Sequence, residues 1–177
     1  MGALKKPERV KLVIGILAKD KKLFDSTEEF FVKEFGQIDY RSPWLFFNYT
    51  DYYKNEMGHP LNRMFISFEK LISPQDLPKI KLKTNLIEKR TSRNKKRLIN
   101  IDPGYINDSK FILATTKDYF HRIYLGRDVY AEVTLYWKKH GFQCLDWTYP
   151  DYRTKEYREI LNKIRQAYAK ERRGHER

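Results

Sequence analysis

The sequence predicts an α+β fold: a ferredoxin-like strand–helix–strand core, extended by an antiparallel β-meander, with a C-terminal helix packed on the sheet. Three observations carry this prediction. Strand-like and helix-like hydrophobic periods alternate twice within the first hundred residues. Residues 111–147 then hold short β-branched and aromatic runs separated by turn signals. Residues 155–172 return to a helical period.

Residues 10–18 (Val-Lys-Leu-Val-Ile-Gly-Ile-Leu-Ala) are apolar and β-branched enough for a central strand. Asp20 caps the next segment, where Leu23, Thr27, Phe30, Phe31 and Phe35 recur at helical spacing, Glu28 and Glu29 face water and Gly36 ends the helix. Residues 37–49 return as an extended aromatic segment in which Pro43 marks an edge or a bulge. A polar, aromatic loop leads from Tyr49 to Pro60. Residues 63–69 alternate, with Met64, Ile66 and Phe68 on one face, and predict a third strand. Ser73 and Pro74 start a helix whose narrow stripe is Leu77, Ile80, Thr84 and Ile87. Residues 89–97 carry six positive charges and no negative one, and read as a mobile basic loop before a strand at 97–101.

Four further strands are expected at 111–115, 122–125, 130–137 and 142–147, the last three joined by turns at Gly126-Arg127-Asp128 and Lys138-Lys139-His140-Gly141. Thr154 caps a final helix from Lys155 to Arg172 that buries Tyr157, Ile160, Leu161, Ile164 and Tyr168. The chain of 177 residues suits a single domain spanning 1–177, with residues 1–9 and 173–177 as flexible ends. With 41% hydrophobic residues the core needs no disulfide or metal.

Composition narrows function. The single cysteine, Cys144, cannot form an internal disulfide and reads as a half-buried thiol on a strand. No secretory signal is visible, and the apolar run Val10–Ala18 is too short to span a bilayer, so a cytoplasmic protein without a membrane partner is expected. The net charge of +13 favours contact with polyanions; a lysine-rich solvated surface is the other reading. The chain has no P-loop, no Gly-x-Gly-x-x-Gly, no Cys-x-x-Cys and no Gly-x-Ser-x-Gly elbow.

Three polar strings hold the candidate chemistry. Asp102-Pro103-Gly104-Tyr105 reads as a tight turn that holds Asp102 either toward a ligand or against its own backbone. Thr115, Thr116, Lys117 and Arg122 can together coordinate a phosphate, and His121 is a candidate acid/base or a hydrogen-bonded structural residue. On a regular strand, His121 and Arg122 point to opposite faces and converge only if the chain bends there. Glu132 shares a face with Tyr130, Thr134 and Tyr136, opposite Ala131, Val133 and Leu135. The string Trp147–Arg153 offers Trp147, Tyr149, Tyr152 and Arg153, either as a base-stacking surface or as a packed corner with Asp151 and Arg153 paired. Tyr105 and Tyr124 are further stacking candidates, and Asp51, Tyr52 and Glu56 are secondary contributors. No close-spaced ligand pair such as His-x-x-x-His occurs, so no metal is assigned and the cofactor is left unknown.

These strings, from Val-Lys-Leu-Val-Ile-Gly through Thr50-Asp51-Tyr52-Tyr53, Asn100–Tyr105, Ala114–Asp118, His121–Gly126, Tyr130–Leu135 and Trp147–Thr154, resemble the family known as domain of unknown function 4416. The resemblance covers nearly the whole chain and implies a stand-alone prokaryotic protein of one domain. It brings no reaction, ligand or catalytic residue. From the residues themselves, the expected function is binding of a phosphate-bearing ligand, RNA or a nucleotide, through a basic and aromatic pocket. The alternatives are a small hydrolase or transferase acting on a phosphate ester, with His121 as acid/base and Asp102 or Glu132 beside it, and a protein-interaction subunit.

Overall fold

Eight consecutive buried residues make β1 (Lys11–Ala18) the centre of the sheet. After it come α1 (Lys21–Phe35), β2 (Ile38–Arg41), β3 (Leu45–Phe47), the short α2 (Lys54–Met57), β4 (Leu61–Phe68) and α3 (Leu77–Thr91). The second half supplies β5 (Ile99–Ile106), β6 (Lys110–Thr115), β7 (Ile123–Gly126), β8 (Val129–Lys138), β9 (Gly141–Cys144) and α4 (Lys155–His175). The structure is a computed structural model that describes residues 2–175, with side chains to Arg172.

The nine strands form one antiparallel sheet in the order β2-β4-β1-β5-β6-β8-β7, with β3 also paired to β4 and β9 to β8. The expected mixed fold with a C-terminal helix on an antiparallel sheet is therefore present. Strand alternation sorts the core. Leu12, Ile14 and Ile16 face α1 and α3, while Val13 and Phe65 face α4 together with Phe111, Leu135 and Phe142. The Asp20 carboxylate accepts from Lys22 N at 2.9 Å, Gly36 ends α1 at φ 95°, and Thr154 Oγ1 accepts from Tyr157 N at 3.3 Å. Each of the five apolar residues expected on α4 is buried.

Five local readings are corrected. Pro103 and Gly104 do not turn the chain; both lie inside β5. Pro103 stands just beyond the pairing to β6, where its missing N–H is tolerated, and a Cβ on Gly104 would run into the Ile112 carbonyl oxygen. The glycine marks close approach of two backbones, not a bend. The segment 37–49 breaks into β2 and β3 around Pro43. Residues 89–91 belong to α3, and Arg93–Lys96 close a tight turn with paired backbone bonds, both of 3.0 Å or less. Finally, β8 bulges: Phe111 pairs with Leu135 but Ile112 with Val133, so Thr134 is an extra residue. The bulge moves Leu135 onto the α4 side, the side of Glu132, instead of the opposite face. The expected end of the last helix at Arg172 is passed by three residues, and Glu176 and Arg177 lie outside the described residues.

Candidate functional site

β5 and β6 begin as neighbours and then part. Their ladder covers only Gly104–Ile106 against Phe111–Leu113, so residues 99–103 have no strand on that side. Two side chains of α3 stand in for one: Glu88 Oε1 accepts from Ile101 N at 2.6 Å, and Lys81 Nζ donates to Ile101 O at 2.9 Å. These substitutes satisfy buried backbone groups that would otherwise be left unpaired. Where the strands separate, a cleft of about 480 Å³ opens.

Arg63 forms the floor. Its residue is 3% exposed, and its side chain crosses β1 from β4 to reach Asp102 on β5. Nη1 donates to Asp102 Oδ2 at 2.9 Å, and Nη2 lies 3.6 Å from Asp151 Oδ2, too far for a hydrogen bond. Gly15 makes this crossing feasible, because a Cβ there would stand 3.1 Å from Arg63 Nη1 and 3.2 Å from the Tyr152 hydroxyl. Asn100 Nδ2 also donates to Asp102 Oδ2, at 2.7 Å. Burial alone pushes the Asp102 carboxyl up, but Arg63 and Lys81 outweigh it and hold the group below the ordinary value of 3.8. For Asp151 burial wins over Arg63, and its carboxyl is raised. One arginine thus faces two carboxylates shifted in opposite directions.

Beside the floor, Arg97 clamps Glu56 with Nε and Nη2 at 2.8 and 2.7 Å, and Nη1 donates to Asn100 Oδ1 at 3.0 Å and Glu88 Oε2 at 3.3 Å. The Glu56 bond raises the Arg97 pKa and lowers that of Glu56. Arg97, the last cation of the basic segment, thus spends four of its five side-chain N–H donors on Glu56, Asn100 and Glu88.

The rim carries the second string. Lys117 Nζ donates to the Tyr52 hydroxyl at 2.7 Å and lies 4.3 Å from that ring's centre. Thr115 Oγ1 accepts from Lys117 N at 3.2 Å. Behind the rim the chain bends at 119–122, so His121 and Arg122 converge after all. His121 Nε2 meets Glu132 Oε2 at 3.0 Å, and Arg122 Nε donates to the same oxygen at 2.9 Å. Arg122 also donates to the Lys117 carbonyl at 2.9 Å and to the Tyr149 hydroxyl at 2.6 Å. Burial, aided by Glu132, pushes the Tyr149 pKa up to about 12.

The cleft thus gathers Asp102, Thr115, Thr116, Lys117, Glu132, Tyr149, Tyr152 and Tyr52 from the sequence-predicted set. The remaining candidates lie elsewhere. His121, Arg122 and Trp147 line a separate shallow hollow, with His121 stacked on Trp147 at 5.2 Å and its Nδ1 sealed without a partner. Trp147 Nε1 donates to Val133 O at 2.8 Å, so this ring is a packing corner. Tyr105 packs on the α3 side of the sheet, opposite Asp102. Tyr124, on the edge strand β7, packs tilted against Tyr130 with ring centres 5.2 Å apart. Arg153 donates to the carbonyls of Leu145, Asp146 and Thr148 and is not paired with Asp151, whose partner is Arg63. Asp51 is exposed and outside the cleft, and Glu56 is committed to Arg97. Among the described residues no three His, Cys, Asp or Glu side chains form a group able to hold a metal ion.

Sequence reading missed Arg63, Lys81 and Gly15. The signals existed: a charge on the inward face of a central strand, a lysine four residues after Leu77 on a helical stripe, and a glycine inside an apolar strand.

Fold and site define an α+β protein with an open antiparallel sheet and one mixed-charge, tyrosine-lined cleft where the sheet splits. Residues 8–168 match the model of the family described as Domain of unknown function (DUF4416), and the chain belongs to that family. No curated protein and no solved structure matches it. Among the described residues no helix is long and apolar enough to cross a membrane.

Proposed function

We propose that the protein binds a small phosphate-bearing ligand of nucleotide size in the cleft between β5 and β6. One observation carries the reading: Lys117 stands at the rim beside the Thr115 and Thr116 hydroxyls, above a cavity of about 480 Å³ walled by tyrosines. An ammonium and hydroxyls at a rim suit phosphate oxygens, and aromatic walls suit a planar base. The volume lies in the range of small-ligand pockets, so a free nucleotide fits better than an RNA strand, for which Lys95 and Lys96 would add exposed charge nearby.

Isothermal titration against nucleoside mono-, di- and triphosphates tests the reading. The expected result is saturable binding that Lys117→Ala weakens about tenfold or more. No binding at millimolar nucleotide in low salt defeats it.

The hydrolase or transferase alternative has less support, because His121 spends Nε2 on Glu132 and offers no atom to the cleft. The interaction reading draws on β7, an edge strand next to Tyr119, Phe120, Ile123, Tyr124 and Leu125, all exposed. Charges of both signs stand there: residues 118–132 carry Arg122 and Arg127 against Asp118, Asp128 and Glu132, one more acid than base, on a chain of net charge +13. A second copy of the chain, pairing β7 to β7, meets no cationic repulsion at this edge.

A further inference from the structure

The two ends of the cleft differ in charge, and this difference specifies the ligand beyond its phosphate. Lys117 gives the rim an unbalanced cation; its amine is bonded to a neutral phenol. The floor has no surplus positive charge. Arg63 and Lys81 face Asp102 and Asp151, while Arg97 is already matched by Glu56 and Glu88. A second phosphate or a carboxylate placed there would meet two carboxylates; an ammonium would meet two cations.

The floor nevertheless needs hydrogen-bond partners of both kinds. Asp102 spends Oδ2 on Arg63 and Asn100 and keeps 25% of its side-chain surface exposed. Asp151 accepts from backbone N–H groups, its own and that of Tyr152, but receives no hydrogen bond from Arg63 at 3.6 Å. These are acceptors with capacity left. Lys81 Nζ spends one of its three protons on Ile101 O, and lines the same cleft. It is a donor with capacity left. Beneath them Arg63 Nε and the Tyr152 hydroxyl are buried without partners, so the floor is not a self-satisfied ion-pair network of purely structural origin. A neutral group that donates and accepts at once answers both demands without adding charge. Hydroxyls do this; phosphates, carboxylates and ammonium groups do not.

We infer that the inner end of the cleft is a sugar subsite: the ligand places hydroxyl groups, such as the vicinal diol of a ribose, against Asp102, Asp151 and Lys81. This rests on the phosphate-binding reading of the rim, and names the other end of the same ligand. Asp102 is its principal acceptor, Asp151 a second, and Lys81 the donor to the hydroxyl oxygens.

Four compounds per base separate the two ideas: the ribonucleoside 5′-monophosphate, its 2′,3′-dideoxy analogue, and the two corresponding nucleosides without phosphate. Titration of the wild-type chain with each set measures both ends independently. The expected result is a loss of about tenfold or more when the hydroxyls are removed, with or without the phosphate. Affinity that falls with the phosphate but stays within twofold on deleting the hydroxyls overturns the sugar subsite and leaves the rim reading standing. The converse, dependence on hydroxyls alone, overturns the rim reading and keeps the subsite. Binding by none of the four at millimolar concentration overturns both. Asp151→Asn, which keeps shape and an acceptor but removes the charge, is expected to shrink the hydroxyl discrimination while the phosphate effect is retained. Unchanged discrimination in both this variant and Lys81→Met, each confirmed folded by its melting curve, also overturns the subsite.

Discussion

Asp102 and Asp151 share Arg63 and answer it with opposite shifts, so their conservative variants behave in opposite ways. The Asp102 pKa is lowered below 3.8 in the fold, which means its stabilisation is present above that value and lost as pH falls through the lowered one. Asp102→Asn should cost about 3 kcal/mol at neutral pH, at the low end for a broken buried pair because Asp151 still faces the guanidinium. The deficit should close as urea denaturation is repeated below pH 3.8. The Asp151 pKa is raised, so its contribution is present below 3.8 and lost as pH rises through the raised value. Asp151→Asn should therefore be no less stable than wild type at pH 7, with its relative stability growing as pH rises above 3.8. Parallel pH profiles for the two variants would contradict this assignment. At Gly15 a Cβ would crowd Arg63, Tyr152 and Phe65 within 3.3 Å. Gly15→Ala should cost about 1–3 kcal/mol by overpacking, and weaken ligand binding at the same time, since it displaces the floor. A melting temperature equal to wild type would show that Arg63 does not depend on that clearance.

At the scale of elements, α4 depends on its first turn as well as on its buried face. Thr154→Ala removes the acceptor for Tyr157 N and should lower stability by about 1 kcal/mol, read as a shifted denaturation midpoint with an unchanged slope. Its cap and its apolar stripe were legible because both obey fixed local spacings. So were α1 with Asp20 and Gly36, the α3 stripe, and the alternation of β4. Other elements were not legible, for reasons that differ in kind. Pro103-Gly104 carries the strongest turn signal in the chain yet sits within β5, because backbone packing against β6 demands a glycine, and local sequence holds no record of that neighbour. The bulge at Thr134 reverses the faces of everything after it, and threonine itself gives no sign. The site divides the same way. Clustering of polar and aromatic residues pointed to Asp102, Lys117, Glu132 and Tyr149, which the fold does bring to one cleft. It also pointed to Tyr105, Tyr124 and Arg153, which share the strings but not the direction. Proximity in sequence finds a neighbourhood; the pleat and the turns decide which members face it.

For the whole molecule, the net charge of +13 is a long-range property that the cleft alone does not explain. Lys95 and Lys96 are exposed on the turn that precedes Arg97, one residue from a lining position. If the biological ligand is a free nucleotide, Lys95→Ala/Lys96→Ala should change affinity by less than about threefold at physiological salt, where distant exposed charges are screened. An RNA ligand would instead show a shallower slope of log affinity against log salt in that variant. Self-association through β7 has its own check: sedimentation at rising concentration should reveal dimers that Ile123→Lys abolishes, and a strictly monomeric wild type would discard it. The parted strands have a mechanical consequence as well. The sheet is two leaves, one of β2, β3, β4, β1 and β5 and one of β6, β7, β8 and β9, joined by three residue pairs and by α3 and α4 laid across its two faces. A seam so narrow acts as the spine of a book, and a ligand seated in the gutter holds the covers at one angle. The amide proton of Ala114, on the same side of β6 as that of Ile112 but beyond the last rung of that seam, should then exchange faster than that of Ile112 in the free protein, and slow down selectively when the cleft is filled.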